Sequence, residues 1–161
     1  MNLSFENQAA LVTGAGSGMG LATARAFAEA RAAVVLADIN EDAVRSATEE
    51  LVAAGHRAMA IHCNVADEAE VAAMIEHTVA TFGHLDAAFN NAGVMIPPFG
   101  HTEDGFELQF GCNHLGHFAL TGLLLYVALF LARRWPAAIV PCTNGRNVAW
   151  ATTPRASWTP C

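Results

Sequence analysis

The chain has 161 residues, the usual length of one domain, and is long enough to bury a hydrophobic core. Hydrophobic residues make up 53% of the sequence and charged residues 14%, a composition typical of a globular protein with well-buried strands and helices. The net charge of −7 and the absence of lysine argue against a nucleic-acid-binding surface, so we expect no nucleic-acid partner.

The first elements surround a glycine-rich stretch. A strand predicted over residues 8–12 runs into Thr13-Gly14-Ala15-Gly16-Ser17-Gly18-Met19-Gly20, a helix follows over Leu21–Ala30, and a strand over residues 33–38 ends on Asp38. Strand, tight turn, helix, strand and acid in that order are the context of a dinucleotide-binding βαβ unit. Glycine lets the backbone turn sharply and approach a pyrophosphate, which the N–H groups at the helix N-terminus then bind.

The rest of the chain continues the alternation of strands and helices. Strands alternating with helices of this length predict a parallel sheet with right-handed crossovers. We therefore predict an α/β fold, a Rossmann-type doubly wound parallel sheet that is incomplete and has about five strands. Helices are predicted over residues 41–54, 68–82 and from about 102 to 134, and strands over 58–63, 85–89 and 137–140.

Helix boundaries carry their own signals. Asn40 is a predicted N-cap, and Asp67 with Glu70 forms a capping-box pattern. Gly55 and Gly83 are predicted to end the two helices that begin at these caps.

The block Phe118–Ala132 is apolar and uncharged over 15 residues. A membrane helix needs about 18–20 such residues, so we predict a buried or interface helix and no membrane partner. His114 and His117, near its start, are interpreted as ordinary helix-surface or interface histidines, since no third ligand has metal-site spacing.

Further signals lie in the cysteines and at the two ends of the chain. Four cysteines without metal-ligand spacing predict no metal site, and with no secretory signal at the N-terminus they favour a reduced, cytoplasmic chain. Residues 133–161 carry four arginines, no acid and all three tryptophans, and so differ in composition from the rest of the chain.

Once the glycine turn is joined to Asn90-Asn91-Ala92-Gly93, the chain resembles the short-chain dehydrogenase/reductase family, in its classical form, over residues 5–125. Thr13-Gly14-x-x-x-Gly18-x-Gly20 matches the family's cofactor turn, and Asn90–Gly93 matches its motif that steadies the central strand. Phe106–Phe118 is similar to the helix that carries the family's active-site Asn, which falls on Asn113.

The resemblance also implies a cofactor site that prefers NAD to NADP. Asp38 stands where NAD-preferring members place an acid, and a carboxylate there accepts the ribose hydroxyl hydrogens and repels a 2′-phosphate. Ser17 stands where NADP-using members often carry Arg or Lys. A role for Asp38 as a turn residue ahead of Asn40 is compatible with cofactor binding. The implied cofactor-binding residues are Gly14, Ser17, Gly18, Met19, Gly20, Asp38, Ile39, Asn64, Val65, Asn91, Ala92 and Gly93.

Most of the family's catalytic set has no counterpart. The family transfers a hydride with a Tyr, a Lys four residues later and a Ser, yet this chain has no lysine, and Phe130 stands four residues after its only tyrosine, Tyr126. Thr143 follows the predicted fifth strand, where the family has its Ser, but we interpret it as an unrelated loop residue. Asn113 alone remains as a candidate catalytic residue.

We therefore predict an NAD-binding domain over residues 1–135 and an atypical tail over 136–161, with a truncated or frame-altered end as a hypothesis. The inherited reaction is NAD-linked oxidation of a small alcohol or reduction of a carbonyl, with little or no turnover by this chain. Three alternatives stay open: a non-catalytic NAD(H)-binding or family-interaction module, an oxidoreductase with a displaced or partner-supplied catalytic set, and a non-functional product that never folds stably. We expect a homo- or hetero-oligomer to form through the helix over 106–134.

Overall fold

The computed structural model describes residues 4–102, 104–131, 138–143, 146–147 and 150–151. Most of the tail predicted over 136–161 therefore lies outside the described residues, and its assignment as a separate region stays a prediction.

Parallel strands make up most of the sheet. They are β1 (Ala9–Thr13), β2 (Ala33–Asp38), β3 (Ala58–His62), β4 (Ala87–Asn90) and β5 (Ala138–Thr143). Their order is β3-β2-β1-β4-β5, and all four neighbouring pairs are parallel. The chain leaves β1 toward β2 and β3 and then crosses back to β4, which confirms the predicted incomplete, doubly wound α/β sheet. The strand order reverses between β1 and β4, where sheets of this type bind their ligands.

Two short strands that the sequence did not predict lie beside β5. They are β6 (Arg146–Asn147) and β7 (Trp150–Ala151), and both pair antiparallel with β5. A two-residue strand is too short to show alternating hydrophobicity, so the sequence pattern alone does not reveal it. Their pairing supplies hydrogen-bond partners to an edge of β5 that would otherwise be open.

Helices cover both faces of this sheet. They are α1 (Gly18–Glu29), α2 (Glu41–Ala53), α3 (Glu68–Phe82), α4 (Leu108–Phe110), a π-helical segment (Gly111–Gly116) and α5 (His117–Leu131). The last three run on without a break, so they replace the single long helix of the prediction.

The predicted start of that long helix, near residue 102, is wrong. Thr102 and Phe106 instead bond to each other across a turn that contains Gly105 at φ = +83°, a conformation outside the helical region. The helix begins after Glu107, whose carboxylate accepts hydrogen bonds from the N–H groups of Gln109 (3.0 Å) and Phe110 (2.9 Å). The Glu107 carboxylate therefore caps this helix, five residues after the predicted start.

The other helix boundaries follow the predicted signals, with one difference. Asn40 caps α2 by accepting from the Ala43 N–H at 3.1 Å, and Asp67 caps α3. Gly83 ends α3 in the left-handed conformation. The predicted capping box is only half formed, because the Glu70 carboxylate binds the Asn64 N–H at 2.7 Å instead of that of Asp67. Glu70 therefore holds the loop after β3 against α3.

Apolar side chains fill a layer on each face of the sheet. On the face of α1 and α2, alanines of α1 such as Ala24 and Ala28 let the helix pack close to Val12 and Leu36. On the face of α3 and α5, larger side chains fill the layer, namely Leu11, Val35, Met74, Ile75, Leu120 and Leu124. The predicted buried helix is thus embedded through Leu120 and Leu124, while Phe118 of the same helix is 78% exposed.

Within the part of the chain that is described, no helix combines the length and the hydropathy needed to cross a bilayer.

Candidate functional site

The residues that the sequence analysis assigned to a cofactor site all follow the carboxyl ends of parallel strands. Because parallel strands end at one edge of a sheet, the fold brings these residues to that edge. β1 leads into the glycine turn, β2 into Asp38 and Ile39, β3 into Asn64 and Val65, and β4 into Asn91–Gly93.

The glycine turn between β1 and α1 is too tight for side chains at two positions. A Cβ on Gly20 would lie 2.1 Å from the Gly14 carbonyl oxygen, and a Cβ on Gly14 would lie 2.8 Å from the Cα of Ala92. Gly14 also has φ = +65°, which favours glycine. At Gly18, by contrast, a Cβ would meet none of the described atoms within 4 Å. The turn therefore packs against Ala92, just after β4, and is open at Gly18.

The N-terminus of α1 differs from those of α2 and α3. The N-cap residue Ser17 makes no side-chain hydrogen bond to α1, whereas Asn40 and Asp67 cap their helices. The first N–H groups of a helix have no partner within that helix, so those at Gly18, Met19 and Gly20 remain available to an anion. The Met19 side chain is 69% exposed beside them.

Asp38 at the end of β2 is bonded to the glycine turn. One carboxylate oxygen accepts from the Gly16 N–H at 2.8 Å, and the other accepts from the Asn40 N–H at 2.9 Å. The turn role that the sequence analysis weighed for Asp38 is therefore present. Each carboxylate oxygen has a second lone pair, so these bonds leave Asp38 able to accept from a ligand hydroxyl. Ile39, the next residue, is 66% exposed at the same edge.

Thr13 is a residue that the site prediction missed. Its fully buried hydroxyl accepts from the N–H groups of Asn91 (3.0 Å) and Ala92 (3.1 Å). The Asn91 side-chain amide donates in return to the carbonyl oxygens of Thr13 (3.2 Å) and Gly14 (3.3 Å). The end of β4 is thus bonded directly to the glycine turn. The sequence feature that could have revealed Thr13 is a hydroxyl residue at the end of an otherwise apolar strand.

Asn90, the last residue of β4, bonds to the opposite face. It is fully buried, and its side-chain amide donates to the Thr121 hydroxyl of α5 at 3.1 Å. The side-chain oxygen of Asn90 has no partner among the described residues. Asn90 therefore ties the central strand to α5.

Asn113 lies in the π-helical segment and reaches the same edge. Its side-chain oxygen accepts from the Val94 N–H at 2.8 Å, and its side-chain nitrogen donates to the Val94 carbonyl oxygen at 2.6 Å. A Cβ on Gly93 would lie 2.7 Å from the Asn113 side-chain oxygen, so a glycine is needed for this approach. Asn113 therefore holds the chain after β4, and its catalytic role stays a prediction.

The interpretation of His117 as a surface or interface histidine is wrong. His117 is only 5% exposed, and its Nε2 is hydrogen-bonded to the Ala92 carbonyl oxygen. Residues four apart share a helix face, so the placement of Asn113 at this edge was a signal that His117 lies there too.

The loop after β3 forms the far end of the edge. Asn64 accepts from the Ala66 N–H at 3.1 Å, and Val65 packs on the apolar layer of α3 and α5. Burial, followed by the charges of Glu70 and Asp67, raises the pKa of the Cys63 thiol to about 11. Cys63 is therefore protonated at neutral pH and does not serve as a nucleophile.

Other chemistry at this edge is limited. In the described ranges, no group of three or more His, Cys, Asp or Glu side chains is arranged to hold a metal ion. The backbone of Tyr126 lies in α5. The interpretation of Thr143 as a loop residue is wrong, since its backbone ends β5. The side chains of both residues lie outside the described part of the structure.

Comparison with known proteins identifies a matching family and several similar proteins. The family model described as short chain dehydrogenase matches residues 8–141. Retinol dehydrogenase 11 from Mus musculus is 37% identical over 126 residues, which are 77% of this chain and 40% of that protein. Cyclohexanol dehydrogenase from Acinetobacter sp. (strain SE19) is 44% identical over 95 residues, which are 59% of this chain and 38% of that protein.

Solved structures agree with these relatives. A hydroxysteroid dehydrogenase from Escherichia coli has a TM-score of 0.67 at 33% identity, over 76% of this chain and 50% of that one. A 7α-hydroxysteroid dehydrogenase complexed with NADH and 7-oxo glycochenodeoxycholic acid has a TM-score of 0.68 at 34% identity, over 76% of this chain and 48% of that one. The chain spans about half the length of these structures and about two fifths of the curated relatives.

Proposed function

The chain belongs to the short-chain dehydrogenase family, a family of oxidoreductases that bind a nicotinamide dinucleotide, and we propose that this chain binds NAD in preference to NADP. The binding residues we propose are those of the glycine turn, Asp38 with Ile39, Asn64 with Val65, and Asn91–Gly93. The observation that carries the proposal is the Asp38 carboxylate, which lies against the glycine turn and bonds to the Gly16 N–H at 2.8 Å.

The glycine turn supports the pyrophosphate part of the proposal. The N–H groups at the start of α1 lack a side-chain cap, and the position of Gly18 is open to an approaching group. An anion at a helix N-terminus gains hydrogen bonds from such groups and a favourable interaction with the helix dipole. The residues present thus fit a diphosphate.

Asp38 supports the preference for NAD. Its carboxylate accepts hydrogen bonds from ribose hydroxyls, whereas a 2′-phosphate would bring like charge to the same place. Two unit charges 4 Å apart interact by about 1 kcal/mol in water and about 4 kcal/mol near a protein surface. Arg25, Arg31 and Arg45 form ion pairs with Glu50, Glu6 and Glu41, and in the described structure no salt bridge joins an arginine to Asp38.

The test is calorimetric titration of the purified chain with NAD and with NADP. We expect NAD to bind at least about tenfold more tightly than NADP, as repulsion of more than about 1.4 kcal/mol requires. In Asp38→Ala the affinity for NAD falls and the preference disappears. Asp38→Asn removes the charge but keeps an acceptor oxygen, so it separates charge repulsion from the bond to Gly16.

Asp42→Ala is the matched control, because Asp42 is an exposed acid four residues further on, in the first turn of α2. It should leave both affinities within about twofold of those of the parent, because solvent and salt weaken the interactions of exposed charges. Equal affinity of the parent chain for the two cofactors would refute the preference, and no binding of either would refute the proposed function.

The reaction we propose as inherited is the oxidation of a small alcohol or the reverse reduction of a carbonyl. When bound, the nicotinamide supplies or accepts the hydride. This chain's residues bind the dinucleotide and hold the chain after β4, where Asn113 bonds to Val94. A phenol titrates near pH ~10 unless a cation lowers its pKa, and this chain has no lysine for that purpose. We therefore propose little or no turnover by this chain alone, and NAD-dependent alcohol oxidation by the pure chain would contradict this.

A second candidate function is a non-catalytic module that binds NAD(H) or associates with family members. The exposed apolar side chains near α4 and α5 favour it, among them Phe99 (88% exposed) and Phe118 (78%). Sedimentation of the chain, alone and mixed with a complete family member, would test association through residues 106–134.

The thiols Cys63 and Cys112, which form no disulfide, fit the cytoplasmic location that we propose.

A further inference from the structure

A buried histidine lies next to the proposed site. His117 is the first residue of α5, is 5% exposed, and has its Nε2 against the Ala92 carbonyl oxygen. A carbonyl oxygen only accepts, so Nε2 must carry the hydrogen, and Nδ1 of the neutral ring then has a lone pair. Nδ1 is buried and has no partner among the described residues. One hydrogen bond to Ala92 therefore orients the ring.

Asn113, one helical turn earlier, bonds to the same stretch of chain. Its two bonds to Val94 and the bond from His117 to Ala92 make three hydrogen bonds from one helix face to two nearby residues. Gly93 lies between those residues and lacks the Cβ that would prevent the approach. The helix thus holds both ends of this short stretch.

The other side of Ala92 is held by β1. Its N–H donates to the buried Thr13 hydroxyl at 3.1 Å, while its carbonyl oxygen accepts from His117. The Cα of Ala92 also contacts the turn, since a Cβ on Gly14 would lie 2.8 Å from it. Ala92 is therefore fixed between α5 and the glycine turn, and His117 supplies the bond on the α5 side.

We propose that His117 is a positioning residue of the dinucleotide site, which holds Ala92 against Gly14 through its Nε2–H and so maintains the geometry of the glycine turn. This inference rests on the proposed function. Without that bond the Ala92 carbonyl loses its partner, and the residues after β4 become free to move away from Gly14. The pyrophosphate-binding N–H groups begin four residues after Gly14, so a displaced Gly14 changes the geometry that they present.

Packing alone does not account for an imidazole at this position. A leucine would fill a similar space without burying an unpartnered nitrogen, which costs about 1–3 kcal/mol. The bond to Ala92 is thus the property that distinguishes His117 from an apolar residue.

The test compares His117→Leu with His117→Gln, because the side-chain nitrogen of glutamine reaches about as far as Nε2 and can donate to Ala92. Amide hydrogen exchange is measured without NAD, and the affinity for NAD is measured by calorimetry. In His117→Leu we expect the Ala92 and Val94 amides to exchange at least about tenfold faster relative to the Val35 amide in the core of β2. NAD should bind at least about fivefold more weakly. His117→Gln should stay within about twofold of the parent in both measurements.

Ile75→Ala is the control for general destabilisation, since Ile75 is 2% exposed in the apolar layer of α3 and α5 but has no bond to residues 91–94 in the described structure. It should lower the free energy of unfolding yet leave the exchange ratio and the NAD affinity unchanged. Equal losses in His117→Leu and His117→Gln would overturn the inference, as would no loss in either.

Two further outcomes keep the inference separate from the proposed function. If the parent chain does not bind NAD, the proposed function fails, and the exchange ratio still decides whether His117 fixes Ala92. If His117→Leu does not fold, the nitrogen-15 chemical shifts of the His117 ring in the parent decide the point. They should report the tautomer protonated at Nε2, and a ring protonated at Nδ1 alone would overturn the inference.

Discussion

The carboxyl edge of the sheet has two sides that are built differently. On the side of β1 and β2, the glycine turn and Asp38 bond to each other and to β4, and the large exposed apolar side chains are Met19 and Ile39. On the side of β4, the chain after the strand and the helices that follow it carry a set of exposed apolar side chains. They are Val94, Met95, Ile96, Phe99, Phe106, Phe110 and Phe118.

This difference separates two parts of the function that the family combines. Recognition of a diphosphate depends on backbone groups in a tight turn, and hydrogen bonds from neighbouring strands support that turn within the described structure. Chemistry on a substrate also needs a site that excludes water and a group that carries a proton. We therefore expect dinucleotide binding and turnover to be separable in this chain. Three predictions test the two sides of the edge and the contact between them, and a fourth tests the burial of Cys63.

The largest effect is expected from Gly20→Ala on the side of β1. The new Cβ would lie 2.1 Å from the Gly14 carbonyl oxygen, a contact that only a backbone shift relieves. We expect the free energy of unfolding to fall by about 3 kcal/mol, the upper end of overpacking costs. NAD binding should weaken at least about a hundredfold, because the shift moves the N–H groups that we propose bind the diphosphate.

Gly122→Ala is the matched control, since Gly122 is also helical but a Cβ there meets none of the described atoms within 4 Å. It should be neutral or should stabilise the chain by up to about 1 kcal/mol, because alanine is the better helix former. Urea unfolding and NAD titration measure both variants, and a Gly20→Ala variant that binds NAD normally would refute the assigned role of the turn.

The second effect tests whether the two sides are coupled through Thr13. Thr13→Val keeps the shape of the side chain but leaves the N–H groups of Asn91 and Ala92 without their acceptor, so we expect a loss of about 2–3 kcal/mol in urea unfolding. Thr78→Val is the control, because the buried Thr78 hydroxyl only donates to the Met74 carbonyl oxygen of its own helix, at 2.8 Å. It should cost less than about 1 kcal/mol. Equal costs in the two variants would contradict the coupling.

The third prediction concerns the apolar side alone. Phe99→Ser with Phe118→Ser should change the free energy of unfolding by less than about 0.5 kcal/mol, since both side chains are exposed. It should also reduce self-association in analytical ultracentrifugation and leave NAD affinity unchanged. Val52→Ser removes an exposed apolar side chain from α2, on the other face of the sheet, and should not alter self-association. Undiminished association in the Phe99 and Phe118 variant would exclude this surface as the interface.

The smallest effect comes from Cys63. Its folded-state pKa of about 11 lies above the ordinary 9.0, so its contribution to stability is complete below pH 9 and is lost as pH rises through 11. At pH 8, a thiol with this pKa holds about a hundredfold less thiolate than one with the ordinary value. Alkylation by iodoacetamide, followed on the Cys63 peptide by mass spectrometry, should accordingly be slow in the native chain and fast in urea. Equal rates in the two conditions would show that Cys63 is not buried.

Local signals in the sequence anticipated much of the fold. The strand-turn-helix around Gly14–Gly20 and the caps at Asn40 and Asp67 depend on residues close together in sequence, so a local pattern is enough to reveal them. The start of the long helix was missed because glutamate is not among the residues preferred at an N-cap, so Glu107 did not mark a helix start. Glu70 was predicted to form a capping box with Asp67, but its carboxylate accepts from the Asn64 N–H. The path of the loop after β3 decides which N–H group the carboxylate reaches.

The sequence by itself determined the parallel sheet, the glycine turn with its acid at the end of β2, and the absence of a lysine for proton transfer. Only the tertiary structure decided that Thr13 bonds to Asn91, 78 residues away, and that His117 is buried against Ala92, 25 residues away. The physical reason is that strand and helix patterns repeat over a few residues, whereas a hydrogen-bond partner across the sheet edge is chosen by how complete elements pack. The local signals at Thr13 and His117 do not name their partners, which were decided only when β1, β4 and α5 packed together.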